Sequence, residues 1–404
     1  MVKIMQVNSY IPVEQKFLKG KLLFLYLALI SAFAPISTDV YLPSMHSISE
    51  YFNASTNAVN LTLSMFFVFY SLGMLFWGPL SDKYGRKPVL LAGMIIYTLA
   101  SLICVFASSI EQLIIGRIFQ GLGGSASVVI VSAIIKDTYN AKERESALAT
   151  VQSIAVLAPM ISPLLGAAIV KIFDDWQVVF IFLFIAGIVS LLCTIFFTET
   201  HGGNKNFTLK SSFWDLKTAV CKFNLASLLL IFSLPLIPFL SYIVTASTVY
   251  MQIFKLDATQ FSMFFAANAA CSIISPFLYI KVLRHHFQVK NLVVGCFSLM
   301  VLAGVCMYFF GARSPMTFLL CLIPATLGGS ILRPPAANMT LSQHDNAGTT
   351  SSLMGFFAMF LGGMGTLLVS FAGSDIIGFL GLMFAIIGCI ALASWLYVYE
   401  KILD

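Results

Sequence analysis

Three residues in this sequence have types and settings suited to chemistry in an apolar medium. Asp39, in APISTDVYLPS, is the acid placed well inside an apolar stretch of the N-terminal half. A carboxyl withdrawn from water keeps its proton to higher pH than one in water, as a proton carrier requires. The same position also suits an ordinary carboxylate at the outer end of its stretch. Arg117, in GRIFQGLGG, stands inside a second apolar stretch. An arginine there costs about 2.5–3.5 kcal/mol on insertion scales and must face a cavity or a partner, unless it snorkels from a nearby helix end. Arg333, in LRPPAAN, is followed by Pro334 and Pro335. The prolines free backbone groups that a water-lined cavity could satisfy, so Arg333 either faces such a path or anchors its helix at the inner surface.

A fourth group is the run GPLSDKYGRKP, Gly78 to Pro88. Its glycines allow a tight turn between two helix ends. Asp82, Arg86 and Lys87 supply charge contacts that can form in one conformation and break in another. The two bases also serve as topology determinants, and both roles are compatible. The corresponding stretch YIKVLRHHFQVK, Tyr279 to Lys290, has bases but no acid and no glycine, so a charge latch is expected in the first half alone.

The elements that must position these residues follow from composition. Apolar residues make up 59% of the 404 and charged residues 10%, against roughly 45–50% and 25% in soluble domains. A water-soluble fold is excluded. Uncharged runs near span length recur, each able to cross about 30 Å of hydrocarbon. Twelve spans are predicted, at 22–42, 57–78, 88–107, 112–136, 147–170, 176–198, 223–250, 258–280, 290–312, 315–337, 349–372 and 376–399. With the N-terminus inside, eighteen of the 23 basic residues fall on inner segments and three on outer ones, which predicts both termini inside.

Lys16, Lys19 and Lys21 before an apolar run ending at Ala32, Phe33 and Ala34 resemble a cleavable leader. Pro35 after the scissile position and the continuation of the run to Tyr41 argue for a retained span. The longest polar stretch, Glu199 to Lys222, divides the chain into a bundle over 1–198, a cytoplasmic linker over 199–222 and a second bundle over 223–404. Phe213, Trp214 and Leu216 in the linker suit a short interfacial helix. LGGS at Leu122–Ser125 and again at Leu327–Ser330 marks equivalent helices of two six-span halves.

Several function classes drop out. The eight cysteines form no CxxC pair and lie mostly in apolar runs, so no metal site is expected. The net charge of +6 is scattered through short loops, so no nucleic-acid partner is expected. GLGGSAS, Gly121 to Ser127, lacks a GKS ending and lies inside a span, which argues against ATP coupling. No HExxH motif or Ser/His/Asp constellation falls within the spans, so the chain is not read as an enzyme, and no cofactor is expected. The loops are too short for a receptor's effector domain.

The run from Gly78 to Pro88 resembles the loop signature of the major facilitator superfamily: a glycine, an acid four residues on, a second glycine and a basic pair. Gly78, Asp82, Gly85, Arg86 and Lys87 fill every position. The resemblance implies that Asp82 faces the N-terminus of span eleven near Gly348 to Thr350, and that Arg86 pairs with Asp137 at the end of span four. Arg117, Gln120 and Gly121 match the family's span-four pattern. The acid, tyrosine, leucine and proline around Asp39 are similar to the bicyclomycin/chloramphenicol-resistance branch of drug:proton antiporters. APMISPLLGAA in span five resembles the antiporter signature, with Ala158, Pro159, Ser162, Pro163 and Gly166 at its positions. Small-residue packing and a bent span account for that run equally well.

The expectation is therefore an all-α polytopic membrane protein of the bacterial inner membrane, two six-helix bundles alternating between inward-open and outward-open states. It exports small, moderately hydrophobic compounds against protons, with Asp39 exchanging proton for substrate and Arg117 tuning it through charge. A dedicated carrier of a metabolite, such as a siderophore or nucleoside, is the alternative. Expected cavity residues are Tyr26, Met65, Gln120, Tyr242, Phe265, Asn268, Arg333 and Met359, because aromatic and methionine faces tolerate varied ligands. The expected partners are the substrate, protons and the lipid bilayer, and the expected working unit is a monomer.

Overall fold

The structure, a computed structural model, describes residues 15–18, 21–139, 158, 160–201, 203, 209–343, 347–373 and 375–402. It is helical throughout, with no strand among the described residues. Ten helices are long and apolar enough to cross a membrane, or eleven if the bent first pair counts as one span. The fifth predicted span appears as the shorter apolar helix Met160–Phe173, and its predicted start at 147–157 lies outside the described residues, as does Pro159.

The first span differs from the prediction. It continues past residue 42 to Tyr51, in segments Lys21–Ser31, Phe33–Asp39 and Met45–Tyr51, with a 3-10 turn at Leu42–Ser44. Its two halves, Leu22–Ser31 and Pro35–Tyr51, meet at 44°. Pro35 and Pro43 each lack a backbone donor, and such missing hydrogen bonds break a helix. The seventh span is likewise divided, into Phe223–Ser233, Leu236–Ser247 and a π-helical end at Thr248–Ile253.

In the run from Gly78 to Pro88 the turn is tight, and both helices extend into the run beyond the predicted span ends. The second helix, Thr56–Tyr84, and the third, Arg86–Val105, are separated by Gly85 alone, whose φ of 102° belongs to glycine. Gly78 and Pro79 lie inside the second helix. Helices two, four, eight and ten start on the side away from the linker. They are capped there by Ser55, Ser109, Asp257 and Ser314, each accepting a backbone N–H. Within the linker, Leu209–Val220 forms a helix.

The hydrophobic cores are arranged asymmetrically across the membrane. On the side away from the linker, one cluster joins both halves, from Tyr41, Phe66 and Phe180 to Tyr242, Phe265 and Phe318. Toward the linker side each half has its own cluster, one around Tyr97 and Ile134, the other around Phe297 and Trp395, and a smaller one around Leu225, Leu229 and Leu353 packs against Leu75 of helix two. Polar contacts close the shared side: Thr56 donates to Gln252 at 3.3 Å, Ser247 to the Met45 sulfur at 3.5 Å, and Ser262 to the Pro163 carbonyl at 2.9 Å.

Candidate functional site

Arg117 is wholly buried on helix four, Ile110–Thr138. Its guanidinium lies 4.5 Å from the ring centre of Phe66, 4.9 Å from Tyr41 and 6.0 Å from Phe180. Such desolvated cation–π contacts contribute about 2 kcal/mol. Nη1 donates to Gln120 Oε1 at 2.5 Å and to the Ser37 carbonyl at 3.2 Å, while Nε and Nη2 have no hydrogen-bond partner among the described residues. Gln120 is held in turn, donating to Ser101 Oγ at 2.8 Å. A Cβ on Gly121 would meet the Phe66 backbone. Its absence lets helix four approach helix two closely enough to set that ring under the guanidinium.

Asp39 is 4% exposed, and its Oδ1 accepts from Thr38 Oγ1 at 2.9 Å. No ion pair joins it to Arg117 among the described residues. The connection runs through the backbone, since Arg117 grips the Ser37 carbonyl two residues before the acid. On its other side, a Cβ on Gly166 would collide with the Val40 backbone, so span five packs directly on the chain next to Asp39. Ala158, Ser162 and Pro163 of the same run are buried.

The predicted cavity residues do not gather in one place. Tyr242 stacks on Phe265, centroids 6.0 Å apart and planes at 12°, and the Asn268 side chain accepts from Thr326 at 2.8 Å. Met65 and Met359 are half-buried. Tyr26 stands apart, donating to Thr194 at 2.9 Å and stacking on Phe197 in the first half's own core. Gln120 serves Arg117 as described. Arg333 lines a separate cavity of about 50 Å³ between spans seven, nine, ten and twelve.

At the linker side, Arg86 Nε donates to Asp137 Oδ2 at 2.8 Å, and Nη1 donates to Asp82 Oδ1 at 2.5 Å and Ser81 Oγ at 2.7 Å. Lys87 Nζ donates to the Ile195 carbonyl at 2.6 Å. The Asp82 carboxylate is thus engaged by Arg86. One turn earlier, the Cβ position of Gly78 lies 3.8 Å from Ser352 Oγ of span eleven.

Sequence reasoning missed Glu199. Its two carboxylate oxygens accept the backbone N–H groups of Arg86 and Lys87 at 2.9 Å each, capping the helix that Gly85 begins. Oε1 also accepts from the backbone of Thr200 and His201. An acid at a helix N-terminus offsets the dipole there. The only local signal was its place at the end of an apolar run.

Comparison with known proteins is consistent in fold and family. The family model described as Major Facilitator Superfamily matches residues 27–367. A bicyclomycin resistance protein homolog of Haemophilus influenzae is 28% identical over 366 residues, 86% of this chain and 88% of that one. The multidrug resistance protein MdtL of Citrobacter koseri is 28% identical over 323 residues, covering 80% and 81%. Among solved structures, a bacterial homolog of the human lysosomal transporter spinster superposes with TM-score 0.72 at 14% identity, covering 97% of this chain and 98% of that one.

Proposed function

The chain belongs to the major facilitator superfamily and is a multi-pass transporter of the bacterial inner membrane, and from that premise we propose that it is a proton-coupled antiporter exporting small, moderately hydrophobic compounds. The observation carrying this reading is Asp39: a buried carboxyl without a counter-cation among the described residues, beside the contact of spans one and five. Protonating such a group removes a charge from low dielectric; ionising it restores that charge. A site that prefers different surroundings in its two protonation states can bias two conformations, and a few kcal/mol of difference suffices.

In this reading the linker side is cytoplasmic and the shared apolar cluster closes the outer side. Arg117 acts on Asp39 as a positioning residue, by holding the Ser37 carbonyl at the break in span one, with Gln120 and the three rings holding Arg117. The run around Arg86 secures the linker side of the first half. The relatives' names, one bicyclomycin resistance and one multidrug resistance, support drug-like cargo.

The test is flux in proteoliposomes under an imposed pH gradient, with chloramphenicol and ethidium as cargo. Wild type should move cargo against the proton flow, and Asp39→Asn should lose gradient-driven flux while still binding cargo. Equal gradient-driven flux in Asp39→Asn would sink the assignment.

A further inference from the structure

We propose that the cavity at Arg333 binds the acidic group of an amphipathic anion, making molecules with a carboxylate on an aromatic or aliphatic body a cargo class of this transporter; the transport half of that statement rests on the function proposed above. The cavity is lined by Phe232, Pro235 and Phe239 of span seven, Ser330 and Arg333 of span ten and Phe384 of span twelve, among others. Apolar walls with few polar groups are the usual make-up of a small-molecule site.

Arg333 is the charged member of that lining. Its side chain is not packed over by the protein and makes no hydrogen bond or ion pair among the described residues. Arg117, the other arginine within the spans, cannot receive a ligand in this state, being fully buried under its three rings. Packing does not demand the charge at 333. The LGGS repeat aligns Arg333 with Val128 of span four, so the equivalent helix of the first half is built with an apolar residue at this place. Nor does Arg333 end its helix, which runs on two turns to Leu341.

Pro334 and Pro335 lie inside that helix and lack N–H groups, so the carbonyls of Ser330 and Ile331 lose their usual donors. Ser330 is in the cavity lining. The site therefore joins a planar cation, matched to a carboxylate by two parallel hydrogen bonds, to aromatic walls. A volume of about 50 Å³ takes the acidic group, with the apolar body along the phenylalanine faces.

The experiment titrates purified full-length protein in detergent with 4-phenylbutyrate and its neutral isostere 4-phenylbutyramide, reading Kd by calorimetry. Wild type should prefer the carboxylate about tenfold or more, the size of one charge-assisted contact. Arg333→Gln should reduce that preference to about twofold or less, and Arg333→Lys, which keeps the charge, should retain part of it. Equal affinity for both compounds in wild type, or an undiminished preference in Arg333→Gln, would overturn the site. Loss of pH-driven flux with the carboxylate preference intact would instead overturn the transport reading and leave the site standing.

Discussion

The Glu199 carboxylate sits on the backbone N–H of Arg86 at 2.9 Å and takes the next N–H, of Lys87, with its second oxygen at the same distance. An acid three residues past the end of span six thus caps the start of helix three. Glu199→Ala should lower stability by about 1–2 kcal/mol, combining a lost cap with a lost charge at a helix N-terminus. Glu199→Gln, which keeps one acceptor, should lose about half as much. Unfolding in mixed micelles by SDS titration reads both.

The two acids on Arg86 should differ sharply. The Asp137 side chain is 18% exposed and pairs with an Arg86 side chain 8% exposed, and removing one partner of a buried pair costs about 3–5 kcal/mol. Asp82 is 45% exposed, in the range where ion pairs contribute about 0–1 kcal/mol. Asp137→Asn should therefore destabilise severely and Asp82→Asn little, with flux assays on Asp82→Asn reporting any conformational role free of misfolding.

Arg117→Lys should not be a conservative change. An ammonium cannot lie flat on Phe66 and Tyr41 while reaching both Gln120 and the Ser37 carbonyl. The expected result is at least a tenfold loss of pH-driven flux. Near-wild-type flux in the lysine variant would mean that charge alone matters at this position.

Glycine replacements separate close packing from free space. Gly166→Ala and Gly121→Ala drive a methyl into the backbone of Val40 and of Phe66 and should each cost about 1–3 kcal/mol. Gly295→Ala meets nothing within 4 Å and should be neutral or stabilising by up to about 1 kcal/mol, the helix-propensity difference. Thermal unfolding of the three variants side by side gives the comparison.

Hydropathy located most of the spans because each is a local property of about 20 residues. The Gly78–Pro88 run and Arg117 were legible because charged residues and paired glycines are scarce in such a chain. What escaped depends on backbone groups, which a sequence does not label. Glu199 binds N–H groups rather than side chains, and the run around Arg86 proved helical up to a single glycine. Aromatic cavity residues were hard to choose because the chain holds 37 phenylalanines and 14 tyrosines. Tyr26, chosen by type and place, faces span six instead, since one turn of a helix offers both directions. The break in span one was hidden because apolar composition runs across it unchanged.

That break also gives the first span a mechanical property. The segment from Pro35 to Tyr51 leaves the break at 44° and, at 1.5 Å per residue, is a rod about 25 Å long. Asp39 sits near its pivot, and its far end, Tyr51, rests edge-on against Trp176 at the start of span six. A turn of about 5° at the pivot sweeps such a tip by about 2 Å, so a displacement too small to repack the chain around the acid is magnified at the opposite end of the rod.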